Sequence, residues 1–201
     1  MAQRETRRPR LTAEMVVAAY CRGWFPMADA RDGEIRWYEP RERAIFLPGE
    51  EHISRSLART FRRGLFDVRI DHDFAGTMRA CAARQETWIS DEIIAVYTDL
   101  HAAGLAHSVE SYRDGVLLGG LYGVSLGGAF MGESMFSRAT DASKIAFLVL
   151  CRRLKEQGFV LLDAQFMTEH LASLGAFAIT QQEYLHRLAA ALSLRCSLVA
   201  R

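Results

Sequence analysis

Two carboxylates of this 201-residue chain stand in stretches that are otherwise apolar. Glu133 lies in the run GGAFMGESMFS, and Asp163 follows the apolar run FVLL. A buried charge destabilises a core strand, so Glu133 either faces water or lines a site. Gln165 stands two positions after Asp163, and alternation along a strand places both side chains on one face. These residue types suit proton transfer or the binding of an amine.

The distance between Glu133 and Asp163 decides which chemistry is available. If the two carboxylates lie close together, they form an acidic pocket that suits an ammonium or guanidinium ion. In the alternative, Asp163 caps the turn that follows its strand, while Glu133 and Gln165 lie on the surface. Spacing along the chain leaves both alternatives open.

Several other reaction classes lack their sequence patterns. The chain contains no G-x-S-x-G nucleophile elbow and no Walker or Rossmann glycine pattern. Its four cysteines show no C-x-x-C pairing, which argues against a zinc ribbon or a disulfide framework and for a reducing compartment. The N-terminus lacks the apolar segment of a signal peptide, and the uncharged run 116–132 contains six glycines, which favours a hairpin over a membrane span. We therefore expect a cytoplasmic protein.

The charge of the chain is small in total and uneven in distribution. The formal net charge is +1, so no global field demands nucleic acid. Arginines cluster in the first ten residues and again in the predicted helix ISRSLARTFRR, at Arg55, Arg59, Arg62 and Arg63. Clustered guanidinium groups suit a phosphate backbone because they replace condensed counterions. A solvated helix face is the alternative interpretation.

Periodicity and turn residues indicate the elements that must position these side chains. A first helix begins after Thr12, and the basic helix, with apolar residues at i, i+4 and i+8, ends at Gly64. The segment between them contains two short strands, so this part forms a small α/β unit. We place a boundary near its end, which gives an N-terminal domain of residues 1–60 and a C-terminal domain of residues 61–201.

The C-terminal domain begins with helices and continues with strands. From Ala106 the pattern changes to three antiparallel strands, then a long helix capped by Asp141, the strand that ends at Gln165, and a closing helix after Thr180. This order predicts an α+β fold with a mixed, mainly antiparallel sheet of the acetyltransferase (GNAT) type. Similarity of fold does not by itself supply a function.

The motifs resemble those of the leucyl/phenylalanyl-tRNA–protein transferase family, in the family's order, over about residues 15–188. AYCRGWFPM and IRWYEPRERAIF are similar to its N-terminal signature. The remaining similarity lies in HISRSL, TWIS, GLAHSVE, GGLYGV, GGAFMGESMFS, DASKIAFLVL and D-x-Q-x-x-x-x-HL-x-SLGA. GESMFS, HSVE and the last pattern together are far more specific than a lone glycine motif.

The resemblance implies an enzyme that moves leucine or phenylalanine, and less readily methionine, from aminoacyl-tRNA to proteins with an N-terminal Arg or Lys. The product has a destabilising N-terminus that marks it for degradation by the N-end rule. The resemblance also implies a cytoplasmic monomer that needs no metal and no coenzyme.

The resemblance assigns roles to the carboxylates. It implies that Gln165 orients the acceptor amine, that Asp163 draws off its proton or holds its charge, and that Glu133 binds the acceptor's amine or basic side chain. An alternative leaves proton transfer to the terminal ribose hydroxyl of the tRNA.

The resemblance also implies where the donor binds. An apolar socket for the aminoacyl side chain would draw on Leu121, Phe130, Met135, Leu150 and Leu162. The terminal adenosine would lie against Trp37, Trp88 and Tyr97. The stem phosphates would contact Arg55, Arg59, Arg62 and Arg63.

Two other functions compete with this interpretation. A coenzyme-A-dependent N-acyltransferase of the same fold needs a glycine-rich pyrophosphate loop before its main helix, where this chain reads SRATDASK. A non-catalytic RNA-binding module would use the basic helix, but it would leave Glu133, Asp163 and Gln165 without a shared purpose.

Overall fold

The structure is a computed structural model that describes residues 10–29 and 33–199. Within those ranges the chain forms seven helices and nine strands. They follow in the order α1 (Ala13–Tyr20), β1 (Phe25–Ala28), β2 (Ile35–Tyr38), β3 (Glu42–Phe46), α2 (Arg55–Arg62), β4 (Asp67–Ile70), α3 (Phe74–Ala82), α4 (Asp91–Ala102), β5 (Ala106–Arg113), β6 (Val116–Leu126), β7 (Ala129–Ser137), α5 (Ala142–Glu156), β8 (Leu161–Gln165), α6 (Glu169–Ser173), β9 (Phe177–Thr180) and α7 (Gln181–Leu192).

The strands form two sheets. β1 and β2 make a small antiparallel pair near the N-terminus, and the other seven strands make one sheet in the order β4-β5-β6-β7-β8-β3-β9. Neighbours in the large sheet are antiparallel except β7 and β8, which are parallel. The predicted α+β class with a mixed, mainly antiparallel sheet is therefore confirmed.

The parallel pair β7 and β8 separates soon after it begins. Only Ala129–Met131 of β7 pair with Leu161–Asp163 of β8, although β7 continues to Ser137. Beyond Met131 the two strands no longer share hydrogen bonds, so an opening forms in the middle of the sheet. Glu133 lies two residues past the point of separation.

Helices cover both faces of the large sheet. Helices α3 and α4 contact β5 on one face, and α5 contacts β5, β6 and β7 on the other. Alternation along β6 shows the two layers, because Tyr122 belongs to the core cluster with α3 and α4, whereas Leu121 belongs to the cluster with α5. The opening between β7 and β8 therefore lies between two apolar cores.

Strand β3 joins the large sheet rather than the small one. It pairs with β8 on one side and with β9 on the other. The prediction placed two strands in the segment after α1, whereas the structure has three, and the third crosses to the main sheet. The large sheet thus extends across the predicted boundary at residue 60, and the division into two domains stays a prediction.

Helix α5 begins where predicted, but without the expected capping hydrogen bond. Asp141 has a left-handed backbone (φ 67°), and its side chain makes no capping hydrogen bond. Instead its Oδ2 accepts a hydrogen bond from Thr60 Oγ1 at 3.0 Å, which ties α5 to α2. Asp141 is therefore the N-cap residue as predicted, but its carboxylate makes a tertiary contact instead of a capping hydrogen bond. Among the described residues, no helix has the length and apolarity needed to cross a membrane.

Gly123 sits at the register shift between β6 and β7, where no side chain fits. A Cβ there would lie 2.3 Å from the carbonyl oxygen of Met131 and 2.4 Å from Cε1 of Phe130. We expect Gly123→Ala to lower the free energy of unfolding by about 2–3 kcal/mol, measured by urea denaturation, because backbone atoms must move.

Gly64→Ala is the matched control, because Gly64 has φ +60° but open space around it. The strain of a left-handed alanine should cost about 1 kcal/mol. A larger loss in Gly64→Ala than in Gly123→Ala would contradict the predicted effect of close packing.

Candidate active site

Glu133 is the centre of a hydrogen-bond network beside the opening in the sheet. Its Oε1 accepts from Tyr20 OH at 2.5 Å and from Gln165 Nε2 at 2.7 Å. Its Oε2 lies 3.4 Å from the donating Tyr97 OH, and the two tyrosine hydroxyls are 2.5 Å apart. Helices α1 and α4 and strand β8 thus each supply one partner to a single carboxyl group.

Burial sets the protonation of this network. Burial and, to a smaller extent, the negative charge of Asp163 together raise the pKa of Glu133 from 4.5 to about 8, against the hydrogen bond from Tyr20 and the charge of Arg43. Burial also raises the pKa of the Tyr20 and Tyr97 phenols well above 10. Both tyrosines are therefore hydrogen-bond donors, while Glu133 can gain or lose a proton near neutral pH.

Asp163 is surrounded by donors. Arg43 binds it with two hydrogen bonds, Nε to Oδ1 at 2.9 Å and Nη2 to Oδ2 at 2.6 Å. Tyr184 OH donates to Oδ2 at 2.9 Å and the Gln165 backbone N–H donates to Oδ1 at 2.8 Å. Each carboxylate oxygen thus accepts two hydrogen bonds, and the residue has no exposed surface.

The pair of Arg43 and Asp163 is fully buried on both sides. Burial lowers the pKa of Arg43, but the charge and the hydrogen bonds of Asp163 outweigh it and raise that pKa above its ordinary value. The expectation of two carboxylates acting as one acidic pocket is wrong in this respect, because the guanidinium neutralises Asp163. Because both oxygens of Asp163 already accept hydrogen bonds, the surroundings of Asp163 give no support to a role in removing a proton from an amine.

Gln165 connects the two carboxylates. Its backbone N–H contacts Asp163 and its side-chain amide contacts Glu133. Its backbone is left-handed (φ 63°), opposite a register shift in β3. Glu133 and Asp163, whose separation the sequence left open, are therefore linked through a single residue.

A cavity of about 330 Å³ occupies the opening between β7 and β8. Such a volume is in the range of small-molecule sites. One part of its wall is apolar and is formed by Phe46, Leu121, Met135, Phe147, Leu150, Leu162 and Leu171. The other part is polar and includes Arg84, Glu133, Ser134, Thr168 and His170.

Four of the five residues predicted for an apolar socket line this cavity: Leu121, Met135, Leu150 and Leu162. Phe130 does not, because it is fully buried and packs under β6 at Gly123. Phe46 and Phe147 line the wall and were not predicted. Phe46 was missed because β3 had been assigned to the N-terminal domain.

The three aromatic residues predicted to hold an adenosine are not together. Trp88 is half-buried and lines the cavity. Tyr97 has no exposed surface, and its hydroxyl belongs to the Glu133 network, so it offers no ring face to a nucleotide. Trp37 lies in β2 and lines a separate groove with Met15 and Trp24.

The basic helix has the predicted amphipathic form. Leu57 is buried, while the four arginines of the predicted phosphate-binding surface are exposed: Arg55, Arg59, Arg62 and Arg63. Within the described ranges, no carboxylate forms an ion pair with any of them. The arginines of the first nine residues lie outside the described residues.

Sequence reasoning missed Tyr20, Arg43, Arg84 and Tyr184. Arg43 shares a face of its short strand with the apolar Ile45, and a charge on a buried face needs a partner, so the sequence held a signal for it. Tyr20 follows Val16 by four residues on the inner face of α1, where a core role was the natural interpretation. Nothing in the local sequence of Tyr184 indicates its contact with Asp163.

One group of potential metal ligands occurs in the described part of the chain, at Asp71, His101 and His107, whose ligand atoms lie within 4.8 Å of one another. His107 Nδ1 is 2.7 Å from Asp71 Oδ2, and His101 Nδ1 is 2.8 Å from the carbonyl oxygen of Ala106. These hydrogen bonds explain the cluster without an ion, and none of the three residues lines the cavity.

Comparison with known proteins decides the family. The sequence profile described as leucyl/phenylalanyl-tRNA protein transferase matches residues 45–189, and that of its N-terminal domain matches residues 10–41. A leucyl/phenylalanyl-tRNA–protein transferase from Herpetosiphon aurantiacus is 52% identical over 190 residues, covering 94% of this chain and 97% of the relative. The chain belongs to this family. The matched residues include both the small sheet and most of the large one.

Other relatives of the transferase family give the same result. A member from Cereibacter sphaeroides is 54% identical over 188 residues, covering 93% of this chain and 88% of the relative.

Among solved structures, L-PGS from Bacillus licheniformis has 16% identity and a TM-score of 0.43, over 80% of this chain and 55% of that one. A GCN5-related N-acetyltransferase-like protein from Streptococcus suis has 13% identity and a TM-score of 0.37, over 70% of this chain and 59% of that one.

The raised pKa of Glu133 makes stability depend on pH. Between about pH 4.5 and 8 the folded carboxyl group keeps a proton that the unfolded one has lost, so its contribution to stability is full below that window and is lost as the pH rises through it. We expect the unfolding free energy of wild type minus that of Glu133→Gln to fall from about pH 5 to about pH 8 in urea titrations. A constant difference would contradict the raised pKa.

The buried ion pair predicts a specific pattern in stability. Arg43→Met should lower the free energy of unfolding by about 3–5 kcal/mol, because it leaves Asp163 as an uncompensated buried charge. The double variant Arg43→Met, Asp163→Leu removes both charges and should be more stable than the single variant in urea denaturation. Equal losses in the two variants would contradict this account.

Proposed function

We propose that the chain transfers leucyl, phenylalanyl and, less readily, methionyl groups from tRNA to the amine of proteins that begin with Arg or Lys. The new peptide bond gives the acceptor a destabilising N-terminus, which marks it for degradation by the N-end rule. The enzyme acts in the cytoplasm as a monomer. The observation that carries the proposal is a partly buried carboxyl group, Glu133, at the polar wall of a cavity whose other wall is apolar.

The apolar wall accounts for the choice of donor. Leu121, Met135 and Leu150 border a space that suits an unbranched or γ-branched side chain. Shape disfavours β-branched side chains, and each misplaced methyl group is worth about 1 kcal/mol or more. Leucine, phenylalanine and methionine share the required form.

Glu133 accounts for the choice of acceptor. A guanidinium or ammonium ion beside this partly buried carboxyl group would stabilise the ionised form and so lower its raised pKa. A neutral N-terminal side chain would give no such compensation for desolvation. Glu133 therefore selects a cationic acceptor, and Gln165 holds the carboxyl group and offers its amide to the incoming amine.

The chemical step needs little beyond positioning, because an aminoacyl ester is already activated. The amine nitrogen attacks the ester carbonyl carbon, a C–N bond forms, and the C–O bond to the terminal ribose breaks. The amine proton ends on the ribose oxygen, so the step is balanced without a metal or coenzyme. Holding ester and amine together supplies much of the acceleration.

Asp163 serves this reaction indirectly. Both its oxygens already accept hydrogen bonds from Arg43, Tyr184 and the backbone of Gln165, so it has no place for an amine proton. We assign it the positioning of Gln165. The proton path that remains is the one through the tRNA's own ribose.

The rest of the tRNA would contact two further features. Trp88 at the cavity offers a surface for the terminal adenosine. The exposed arginines of α2 would contact stem phosphates without reading their sequence. Arginines placed in this way strengthen binding at low salt.

Transfer of labelled leucine from leucyl-tRNA to two peptides tests the proposal. A peptide that begins with Arg should be labelled and one that begins with Ala should not. Glu133→Gln should lower kcat/KM for the Arg peptide by about tenfold or more, because a charged hydrogen bond to the acceptor is lost. Glu86→Gln, a change of an exposed glutamate outside the cavity, is the matched control. Equal labelling of both peptides, or of neither, would refute the proposal.

A further inference from the structure

Arg84 is a cation at the cavity that the proposed chemistry does not use. It lies in the connection between α3 and α4, is exposed, and lines the cavity next to Ser134. Its Nη2 donates to Ser134 Oγ at 2.6 Å, and its Nε donates to the carbonyl oxygen of Cys81 at 2.8 Å. These two bonds fix the guanidinium group at the polar wall.

The guanidinium group of Arg84 retains capacity for a ligand. It has five N–H donors, and the two bonds to Cys81 and Ser134 use one each. Throughout the described residues, no carboxylate lies within ion-pair distance of Arg84. The contrast with Arg43 is clear, because the charge of Arg43 is cancelled by Asp163.

The charge of Arg84 acts inside the site as well as on its rim. Burial raises the pKa of the Cys81 thiol and of the Tyr122 phenol, and the positive charge of Arg84 opposes both shifts. Glu133 does not cancel it, because the carboxyl group of Glu133 is turned toward Tyr20, Tyr97 and Gln165. The cavity therefore has a separate positive position for an anion.

We propose that Arg84 binds the phosphodiester on the 5′ side of the terminal adenosine of the donor tRNA. This inference rests on the proposed function, in which one substrate, the acceptor, is cationic and the other, the donor tRNA, is anionic. The acceptor carries positive charge and belongs with Glu133. The donor contributes the anion nearest the reacting ester, and planar guanidinium donors match phosphate oxygens well.

Trp88 supports this assignment of the anion. It follows Arg84 by four residues in the same connection, and both line the cavity. An adenosine placed against Trp88 therefore has its phosphate next to the connection that carries Arg84. The guanidinium and the indole together would hold the last nucleotide, so that its aminoacyl ester extends into the apolar part of the cavity.

Two minimal donors that differ only by a phosphate test the inference. One is adenosine with phenylalanine esterified to its ribose, and the other is the same compound with a 5′-phosphate. Wild type should have a KM about tenfold lower for the phosphorylated donor, since a charge-assisted contact is gained. Arg84→Ala should lose this preference and leave KM for the unphosphorylated donor within about twofold, and Arg84→Lys should restore part of it.

Arg79→Ala is the matched control, because Arg79 is an exposed arginine of α3 that does not line the cavity. It should keep the full preference for the phosphorylated donor. The inference alone would be overturned if Arg84→Ala raised KM equally for both donors. It would also be overturned if wild type transferred from leucyl-tRNA but showed no preference for the phosphorylated donor. Failure of wild type to transfer from leucyl-tRNA would overturn the proposed function and this inference with it.

Discussion

The buried pair of Arg43 and Asp163 is the interaction on which the site depends. It joins β3 to β8 in the middle of the large sheet, with no exposed surface on either residue. Removing two charges from water is unfavourable, and the pair is compensated by two hydrogen bonds between its members and by further donors. Its consequence is geometric, because Asp163 fixes the backbone of Gln165, whose amide then reaches Glu133.

The separation of β7 from β8 gives the site its two chemical halves. Three residue pairs hold the strands together before they part, and the opening connects the apolar core beside α5 with the hydrogen-bond network near α1 and α4. A ligand in this opening can therefore bury an apolar side chain in one half and place a polar group near Glu133 in the other. A continuous sheet would have kept the two cores apart.

Within the cavity, the two charges that we assign to ligands are Glu133 and Arg84, which form no ion pair in the described part of the chain. Asp163 and Arg43 cancel each other, and so they contribute structure rather than binding. Burial raises the pKa of Glu133, although its neutral hydrogen-bond donors lower it, so a cationic ligand would stabilise the ionised carboxylate. Arg84 has no carboxylate partner among the residues described, which is why we assign it the phosphate of the donor tRNA.

Most of the helices and strands, and the family, are predictable from the sequence because they depend on local patterns. Alternation, capping residues and turn glycines predicted the strands of the β5–β7 meander, and motifs such as GESMFS indicated the transferase family. The sequence singles out Glu133, Asp163 and Gln165 as candidate site residues because polar groups in apolar runs need a partner.

The contacts of these residues depend on the three-dimensional fold. The pairing of β3 with β8 brings Arg43 to Asp163 across 120 positions of sequence, and so turns a predicted proton acceptor into an anchor. Burial likewise removed Phe130 and Tyr97 from the predicted ligand contacts. Local patterns indicate which side chains are apolar or charged, but long-range strand pairing sets the distances between them. The role of a charged side chain depends on whether an opposite charge lies beside it.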